Sequence, residues 1–414
     1  MNARGLSVWL VQIGEPLPTS ADGVRMRTGA LAETLVDRGH RLLWFTSAFD
    51  HFTKQWLRPR SGRFTLPAAG ECLAIRGAGY RRNVSFRRFW DHRLIAWKWP
   101  ALARGLPTPD IIVASMPTPD LAWKAVRYAR SRQIPSILDV RDPWPDVLID
   151  AVPAPLRAVA RGVLAGDFRA QRRAAREATS VVAVTHELLQ WEYRCSGRRP
   201  RDVDRVIYTG HREKTPSTNE GSAHDGLDAI LGRIQGKFVV AFVGTFAHFH
   251  APWVVLEAAV KLSPEIHYVL AGDGQEHESM RAAAARFPNV HFPGWLPSGA
   301  TERLLRNAHV GICPTDRTAL VFPNKAFAYL AAGLPIVSQF EGDLRHFITR
   351  REIGLHADPG ARATFVAHLD RMAKDREFAS RCGSNGRHLF EAEFDARRTI
   401  RDFADHVESV AAGH

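Results

Sequence analysis

Short apolar runs alternate with amphipathic segments along most of the chain. Residues 7–13 and 41–47 are apolar runs, and the segment 27–38 between them places apolar side chains at helical spacing. Apolar runs of this length predict buried strands, whereas amphipathic segments predict helices that cover a sheet. The alternation of strand and helix indicates an α/β protein with parallel sheets.

The same alternation recurs in two blocks. The further predicted strands lie at 111–115, 136–140, 180–185, 205–210, 238–244, 267–272, 290–292, 310–314 and 336–337. Residues 64–76 predict a hairpin around Gly70, and residues 120–131 and 155–177 each predict one helix. In the tail, Gly383 and Gly386 predict a break before a last helix that passes through Phe394 and Phe403.

The length of 414 residues exceeds what one hydrophobic core usually supports, so two domains are expected. The chain turns polar between the two blocks, where Pro, Gly, Ser and Asn cluster. We predict an N-terminal domain at 1–212, a linker at 213–228 and a C-terminal domain at 229–386. The remaining segment, 387–414, is predicted to be a helix that packs back on the N-terminal domain.

The chain is 45% hydrophobic and 24% charged, which is typical of a folded soluble protein. No apolar run approaches the ~20 residues that cross a bilayer, and the first residues are too quickly polar for a signal peptide. Four scattered cysteines without CxxC spacing argue against a disulfide framework or a zinc site. We therefore expect a cytoplasmic protein without a metal or another cofactor.

The net charge of +13 favours an acidic partner, for which anionic lipid, phosphorylated substrates and nucleic acid are the alternatives. Nucleic acid ranks last because no recognition module is present. Residues 80–99, YRRNVSFRRFWDHRLIAWKW, interleave arginines with aromatic side chains. Such a stretch suits a membrane interface, but it is equally typical of a core helix with a basic outer face. The arginines of 155–177 form either a solvated charged face or, together with residues 80–99, one basic side that faces a membrane.

Residues 322–338, FPNKAFAYLAAGLPIVS, combine a turn, a short helix and a buried strand. Pro323 and Asn324 favour a helix start, and Gly333 and Pro335 end it. Lys325 therefore lies beside free backbone N–H groups, which makes this helix N-terminus a candidate phosphate site. The alternative is an ordinary helix–strand unit with a solvated lysine.

Three further loops carry candidate chemistry at the carboxyl ends of predicted strands, where open α/β sheets bind ligands. The loop 14–23 contains Gly23 but no dinucleotide fingerprint, so it is either a ligand loop or a plain surface loop. Residues 138–146, LDVRDPWPD, concentrate charge either for an acceptor site or for a structural ion pair. His51 follows the second strand and is either catalytic or simply packed.

Five segments of the chain, taken together and in their order along the sequence, resemble one protein family. They are RMRTGALAETLVDRGHRLLWFTSAFDHFTK (25–54), LDVRDPWPD (138–146), FVGTF (242–246), VLAGDGQE (269–276) and PNKAFAYLAAGLPIVS (323–338). The chain resembles glycosyltransferases of the GT-B fold, in retaining family 4, and most closely bacterial enzymes of cell-surface polysaccharide synthesis. This resemblance implies two Rossmann-like parallel-sheet domains that face each other across a cleft.

The resemblance also implies functional residues. The C-terminal domain would hold a nucleotide-sugar, with uridine diphosphate the expected link, through Gly244, Thr245, Gly272, Asp273, Gly274, Asp316, Asn324 and Lys325. The N-terminal domain would hold a glycan or polyprenyl-linked acceptor through Gly23, Arg25, Arg141, Asp142 and Trp144. Catalytic roles are expected for Lys325, Asp142 and His51. A lipid-linked acceptor would place the protein at the inner membrane face.

The chain departs from the family pattern at positions that bind the donor in the family. The family carries two glutamates eight positions apart, and this chain has Leu320 and Ala328 there. The family's arginine and lysine after Gly244 are absent, and the nearby His248 and His250 carry no charge when neutral. Two alternatives to a transferase therefore remain: an inactive scaffold or glycan-binding protein, and a binder of anionic polymers.

Overall fold

A computed structural model describes residues 5–18, 25–82, 85–150, 152–213, 224–247, 252–318 and 322–413. Its chain forms two compact units. The N-terminal unit comprises Met1–Tyr208 and Thr399–His414, and the C-terminal unit comprises Thr209–Arg398. The predicted sites at Gly23, His248, His250 and Leu320, and most of the predicted linker, lie outside the described residues.

The N-terminal unit is built on one sheet of short apolar strands. Its strands are β1 (Ser7–Val11), β2 (Arg41–Ser47), β3 (Gly62–Leu66), β4 (Gly70–Ile75), β5 (Ile111–Ser115), β6 (Ser136–Val140), β7 (Ser180–Ala183) and β8 (Arg205–Val206). Its helices are α1 (Arg27–Asp37), α2 (Phe86–Arg104), α3 (Pro119–Ser131), α4 (Asp146–Asp150), α5 (Arg157–Val163), α6 (Ala165–Glu177) and α7 (His186–Ser196), with a 3-10 turn at Ala154–Leu156.

Within the described residues, the strand order is β3-β4-β2-β1-β5-β6-β7-β8. All neighbouring strands are parallel except β3 and β4, which form the predicted hairpin with Arg63 opposite Leu73. The register of β1 sets Leu10 opposite Trp44 on one side and Val113 on the other. Trp44 is fully buried in this core, and burial of a side chain of this kind contributes about 1.5–3 kcal/mol.

The predicted single helix at 155–177 is wrong. The structure has two helices here, α5 and α6, which are separated at Leu164. The two helices differ in burial, because α5 buries none of its residues whereas α6 buries alanines against the core. An exposed helix and a packed helix therefore adjoin where the sequence pattern suggested one continuous segment.

The C-terminal unit repeats the architecture. Its strands are β9 (Phe238–Val243), β10 (Ile266–Ala271), β11 (Val290–Gly294), β12 (Val310–Cys313), β13 (Ile336–Ser338) and β14 (Gly354–His356). Its helices are α8 (Asp225–Arg233), α9 (Val254–Lys261), α10 (His277–Ala284), α11 (Ser298–Arg306), α12 (Asn324–Ala331), α13 (Asp343–Arg351), α14 (Arg362–Lys374) and α15 (Arg376–Leu389). A π-helical turn (Phe390–Phe394) then leads into α16 (Ala396–Ala411).

Over the residues described, the second sheet has the order β11-β10-β9-β12-β13-β14 with parallel pairing throughout. The central strand β9 contributes Val240 and Phe242 to a core that also contains Tyr268 and Phe365. The carboxyl ends of β9, β10 and β12 therefore lie side by side at one edge of the sheet.

The predicted helix break at Gly383 and Gly386 is wrong, because α15 runs through both glycines. A Cβ at Gly383 would lie 2.2 Å from the carbonyl oxygen of Gly333, and one at Gly386 would lie 2.9 Å from Leu330 Cδ2. The glycines allow α15 to approach α12 closely. The chain leaves the α-helical path later, in the turn Phe390–Phe394.

The end of α16 contacts the N-terminal sheet and its helices. The guanidinium of Arg27 lies 4.6 Å from the centre of the Phe403 ring, and Arg38 donates to Asp405 at 2.7 Å. The His406 ring nitrogen Nε2 lies 2.8 Å from Ser180 Oγ. Within the described part of the chain, no helix combines the length and apolarity that a membrane span requires.

Candidate functional site

The N-terminus of α12 faces the carboxyl end of β9. Pro323 precedes the helix and offers no side-chain cap, so the first backbone N–H groups are left to other acceptors. The ammonium of Lys325 points at Gly244, where an added Cβ would lie 3.1 Å from Nζ. The structure thus brings together a helix N-terminus, the side chain of Lys325 and the backbone of a glycine-containing loop.

The ammonium group of Lys325 is buried without a hydrogen-bond partner in the described structure. Its Nζ lies 3.9 Å from the centre of the Phe242 ring, a cation–π contact. Burial lowers the pKa of Lys325 to about 8. The lysine is therefore still largely protonated near neutral pH, and an anion bound beside it would supply the missing acceptor.

Three predicted glycines form a closely packed backbone cradle next to this lysine. Gly272 has a φ of +140°, and a Cβ there would lie 1.8 Å from the carbonyl oxygen of Gly244. A Cβ at Gly274 would lie 2.5 Å from the oxygen of Phe246. Backbone hydrogen bonds from Gly244 to Ala271 and from Phe246 to the Asp273 carbonyl tie the two loops together. Only glycine fits these positions.

Two residues that the sequence analysis did not single out support this site. Phe242 provides the ring under its ammonium. Tyr329 lies one turn after Lys325 on α12, and its hydroxyl accepts from Val243 N at 3.0 Å and donates to the Ile312 carbonyl at 3.3 Å. Both residues stand in quoted motifs, FVGTF and PNKAFAYLAAGLP, but their contacts depend on strand neighbours that are distant in sequence.

A cavity of about 800 Å³ opens in the C-terminal unit beside the second turn of α12. It is lined by residues of the segment before α8, the β11–α11 connection and helices α11, α12 and α16: His211, Glu213, Leu296, Ser298, Thr301, Glu302, Leu305, Arg306, Ala328, Ala331, Ala332 and Arg397. The small side chain of Ala328 contributes to this space. The volume lies in the range of small-molecule sites.

The two carboxylates of the cavity differ in their partners. Glu213 accepts from Arg387 at 2.6 and 3.1 Å, so it is already neutralised. Glu302 has Arg306 at 3.5 Å, and that arginine is largely exposed. Glu302 is therefore the carboxylate with acceptor capacity left for a ligand.

The other predicted donor residues lie at the surface. Thr245 and Asp273 are exposed, and the Asp273 carboxylate accepts from the backbone N–H of Gly274 at 2.7 Å. Asp316 lies 3.7 Å from its neighbour Arg317, and Asn324 is the exposed first residue of α12. Within the described residues, none of these side chains hydrogen-bonds to Lys325, so their predicted roles depend on a ligand.

In the N-terminal unit, Arg141 is surrounded by protein partners. It donates to Asp139 at 2.7 Å and to Thr28 Oγ1 at 2.7 Å, and it forms an ion pair with Glu15. Burial alone would raise the pKa of Asp139, but Arg141 and Arg27 hold it below its usual value. The contacts match the structural ion pair that the sequence left open for Arg141, and Glu15, which the sequence analysis missed, is its second carboxylate.

The neighbouring acceptor candidates are differently placed. Asp142 is exposed, and its carbonyl accepts from Trp144 N at 2.8 Å. Arg25 forms an ion pair with Glu33 at 2.8 Å on α1. Among Asp142, Trp144 and Arg25, Asp142 has the side chain most open to an incoming hydroxyl.

His51 belongs to a separate cluster. Its Nδ1 lies 2.6 Å from the Tyr80 hydroxyl, and its ring packs against Phe52. Burial, with the nearby cations Arg88 and Lys54, lowers the pKa of His51 to about 4. The imidazole is therefore neutral near neutral pH, and the structure places it with Tyr80 and not with Asp142.

Residues 226–389 match the sequence model of the family described as glycosyl transferases group 1. This segment contains the glycine loops, Lys325 and most of the cavity. No curated protein matches the chain.

Solved structures match nearly the whole chain at low sequence identity. Sucrose-phosphate synthase from Thermosynechococcus elongatus aligns with a TM-score of 0.72 at 16% identity, over 99% of this chain and 100% of that one. Anabaena HepE in complex with UDP aligns with a TM-score of 0.68 at 15% identity, over 98% and 100%. The chain has the GT-B fold.

A third GT-B structure, WaaG, a glycosyltransferase involved in lipopolysaccharide biosynthesis, aligns with a TM-score of 0.65 at 14% identity over 97% of this chain and 99% of that one. The predicted fold class and the resemblance to GT-B glycosyltransferases are thus confirmed. The finer assignment to retaining family 4 stays a prediction.

Proposed function

We propose that the chain transfers a sugar from a UDP-sugar to a hydroxyl group on a lipid-linked or growing glycan in cell-surface polysaccharide synthesis, with retention of the anomeric configuration. The observation that carries the proposal is the buried, unpartnered ammonium of Lys325 beside the N-terminus of α12 and the Gly244 loop. Structural neighbours were solved with UDP and UDP-glucose, and one acts in lipopolysaccharide biosynthesis, which supports this donor and pathway.

In this proposal, the donor's diphosphate lies against Lys325, the first N–H groups of α12 and the hydroxyl of Thr245. When the bond between the sugar's anomeric carbon and the phosphate oxygen breaks, negative charge develops on the leaving UDP. A preorganised cation and backbone donors stabilise that charge more than they stabilise the bound donor, which lowers the barrier. The acceptor hydroxyl loses its proton and forms the new bond to the anomeric carbon.

The nucleoside is assigned to the cavity one turn further along α12. Leu296 and Leu305 supply apolar surface for the base. Ala328 offers no hydrogen-bond acceptor through its side chain, but Glu302 lines the same cavity and has acceptor capacity left. We therefore propose that Glu302, and not Ala328, accepts the hydrogen bonds from the ribose hydroxyls.

The acceptor is assigned to the N-terminal unit. Asp142 is the proposed partner of the reacting hydroxyl because its carboxylate is exposed, and Trp144 follows it in the same loop. His51 is the second candidate for the proton acceptor, since its imidazole is neutral. Arg25 and Gly23 remain proposed contacts, and Arg141 is proposed to position the loop through its ion pairs.

The alternative function is a non-catalytic glycan-binding or scaffold protein. Ala328 favours it, because the chain has no glutamate at this position of the cavity. A scaffold need not bind a nucleotide, so nucleotide binding separates the two functions.

Titration calorimetry with UDP, UDP-glucose, GDP and ADP tests the function. We expect the protein to bind UDP and UDP-glucose more tightly than the purine nucleotides, and Glu302→Gln to weaken UDP binding by about tenfold, the effect of one hydrogen bond to a charged acceptor. Glu257→Gln, which removes a half-buried carboxylate paired with Arg362, is the control and should leave binding unchanged. Absence of any nucleotide binding would favour the scaffold.

A peripheral position on an anionic membrane is also proposed, on the basis of one face of α2. This helix buries Ile95 and Trp99 but exposes Phe86, Trp90 and Trp97, of which Trp97 is 72% exposed. Apolar rings beside arginines suit the headgroup region of an anionic bilayer.

Sedimentation with vesicles tests this position. The protein should bind vesicles that contain phosphatidylglycerol and bind neutral phosphatidylcholine vesicles weakly. The double variant Trp90→Ser, Trp97→Ser should bind the anionic vesicles about tenfold more weakly, because two rings no longer insert. Exposed Trp295 lies in the C-terminal unit, so Trp295→Ser is a matched control. Equal sedimentation of the double variant and the wild type would contradict the proposal.

A further inference from the structure

A cluster of potential metal ligands lies at the carboxyl ends of the last two strands of the C-terminal sheet. Glu341 follows β13, His356 ends β14, and Asp358 follows two residues later. The parallel register sets Ser338 opposite His356, which brings the loop after β13 beside the end of β14. In the described part of the chain, one ligand atom from each of Glu341, His356 and Asp358 lies within 4.8 Å of the others.

The orientation of His356 points to a cation. Its side chain is only 9% exposed, and Nε2, which has no hydrogen-bond partner, lies 3.7 Å from Glu341 Oε1. The ring is hydrogen-bonded to the backbone of Phe340 through its other nitrogen, which leaves the lone pair on Nε2. Metal-binding histidines are oriented in this way by a backbone carbonyl.

The charged groups that surround the imidazole are Glu341, Arg345 and Asp358. The Nε2 of His368 lies 2.9 Å from the carbonyl oxygen of His356. A neutral imidazole and two carboxylates form a donor set suited to divalent transition metals.

The guanidinium of Arg345 lies where a cation is needed. It contacts the Glu341 oxygens at 3.0 and 2.9 Å and Asp358 Oδ1 at 3.5 Å. The Arg345 side chain is 49% exposed and belongs to an i,i+4 surface pair, so it can swing into solvent at small cost. The arginine thus balances the carboxylates, yet it makes no hydrogen bond to His356 Nε2.

We propose that Glu341, His356 and Asp358 bind a divalent transition metal of the Zn²⁺ type, which displaces the guanidinium of Arg345. The metal would connect to the loop that bears Asp316, because Gln339 donates to the Asp358 carbonyl at 3.1 Å and accepts from Thr315 N at 3.3 Å. Gly360 N also donates to the Thr315 carbonyl at 3.1 Å. The site would therefore brace this loop independently of any donor bound at Lys325.

Calorimetry of the chelator-treated full chain with Zn²⁺, and the visible spectrum with Co²⁺, test the site. We expect one equivalent of metal to bind, and His356→Ala or Glu341→Gln to weaken binding at least tenfold. Arg345→Gln should tighten binding about fivefold because the competing cation is gone. Tighter metal binding by Arg345→Gln distinguishes the site from general damage to the fold, since a damaged fold is not expected to bind the metal more tightly.

His291 stacks on His267 elsewhere in the same unit, with a ring separation of 5.3 Å, so His291→Ala is the matched control. Unchanged metal binding in this variant supports the proposed site. The proposal is overturned if the wild type binds no metal, if His291→Ala removes the binding instead of His356→Ala, or if Arg345→Gln fails to tighten it.

Discussion

Replacing Lys325 with methionine should weaken UDP binding about 30-fold and lower any transferase rate by a further 10²–10³-fold. The ammonium is buried and lacks a hydrogen-bond partner in the described structure, so a bound diphosphate would gain a charge-assisted contact that water does not already supply. Methionine is an unbranched apolar side chain of similar length, which can fill the space beside the Phe242 ring. Calorimetry with UDP measures the binding loss.

The same contact gives UDP binding a pH dependence with a defined sign. The pKa of Lys325 is lowered to about 8, so the ammonium carries its charge below this pH and loses it above. Wild-type affinity for UDP should therefore fall as pH rises through about 8, whereas Lys325→Met should show no such fall. Bound diphosphate would raise the pKa, so binding near pH 8 should take up protons from the buffer.

A matched control separates the effect of the Lys325 charge on UDP binding from the effect of the protein's overall charge. Lys374 is an exposed lysine paired with Asp370 at 2.7 Å, and Lys374→Met should bind UDP as the wild type does. Removal of a buried, unpaired charge should leave the thermal stability of Lys325→Met unchanged or raised. Wild-type UDP affinity in a stable Lys325→Met protein would contradict the assignment of the phosphate site.

The fold and part of the candidate site follow from local sequence. Strand and helix periods predicted both parallel sheets, and Pro323, Gly333 and Pro335 located α12 within a residue or two. The cation at this helix start was predictable because one short motif contains both the lysine and the helix signals. The burial of its ammonium under Phe242 was not, because that contact joins β9 to α12 across about 80 residues of chain.

Contacts between distant segments also explain the errors. Gly383 and Gly386 look like helix breakers locally, yet they are packing positions where α15 meets α12. The contacts of Arg141 with Glu15 and Thr28 were not predictable from its motif either, because both partners are distant from it in sequence. The cavity at Ala328 is likewise lined by residues of α11, α12 and α16, which belong to different sequence motifs.

A buried carboxyl group in the N-terminal unit should make stability depend strongly on pH. Glu192 on α7 is fully buried; it accepts a hydrogen bond from Gln171, and its Oε2 has no partner in the described structure. Burial raises its pKa from 4.5 to about 8. The folded protein therefore holds a proton on Glu192 near neutral pH, whereas the unfolded chain does not.

The sign of the effect follows from proton linkage. Below pH 4.5 both states hold the proton, so the pKa shift costs no stability there. Between this value and about 8 the folded state binds one proton more than the unfolded state, so the free energy of unfolding should fall by about 1.4 kcal/mol per pH unit. Above about 8 both states are ionised, and this contribution levels off.

Glu192→Gln should remove most of this dependence, because glutamine resembles the protonated acid and cannot ionise. The variant should match the wild type at low pH and exceed its stability by roughly 4 kcal/mol at pH 8. Urea unfolding followed by tryptophan fluorescence over this pH range measures both slopes. Glu71→Gln, at an exposed carboxylate of β4, should keep the wild-type slope. If Glu192→Gln keeps that slope as well, Glu192 is ionised in the folded protein, and its burial must be relieved by a rearrangement that brings a cation or water to Oε2.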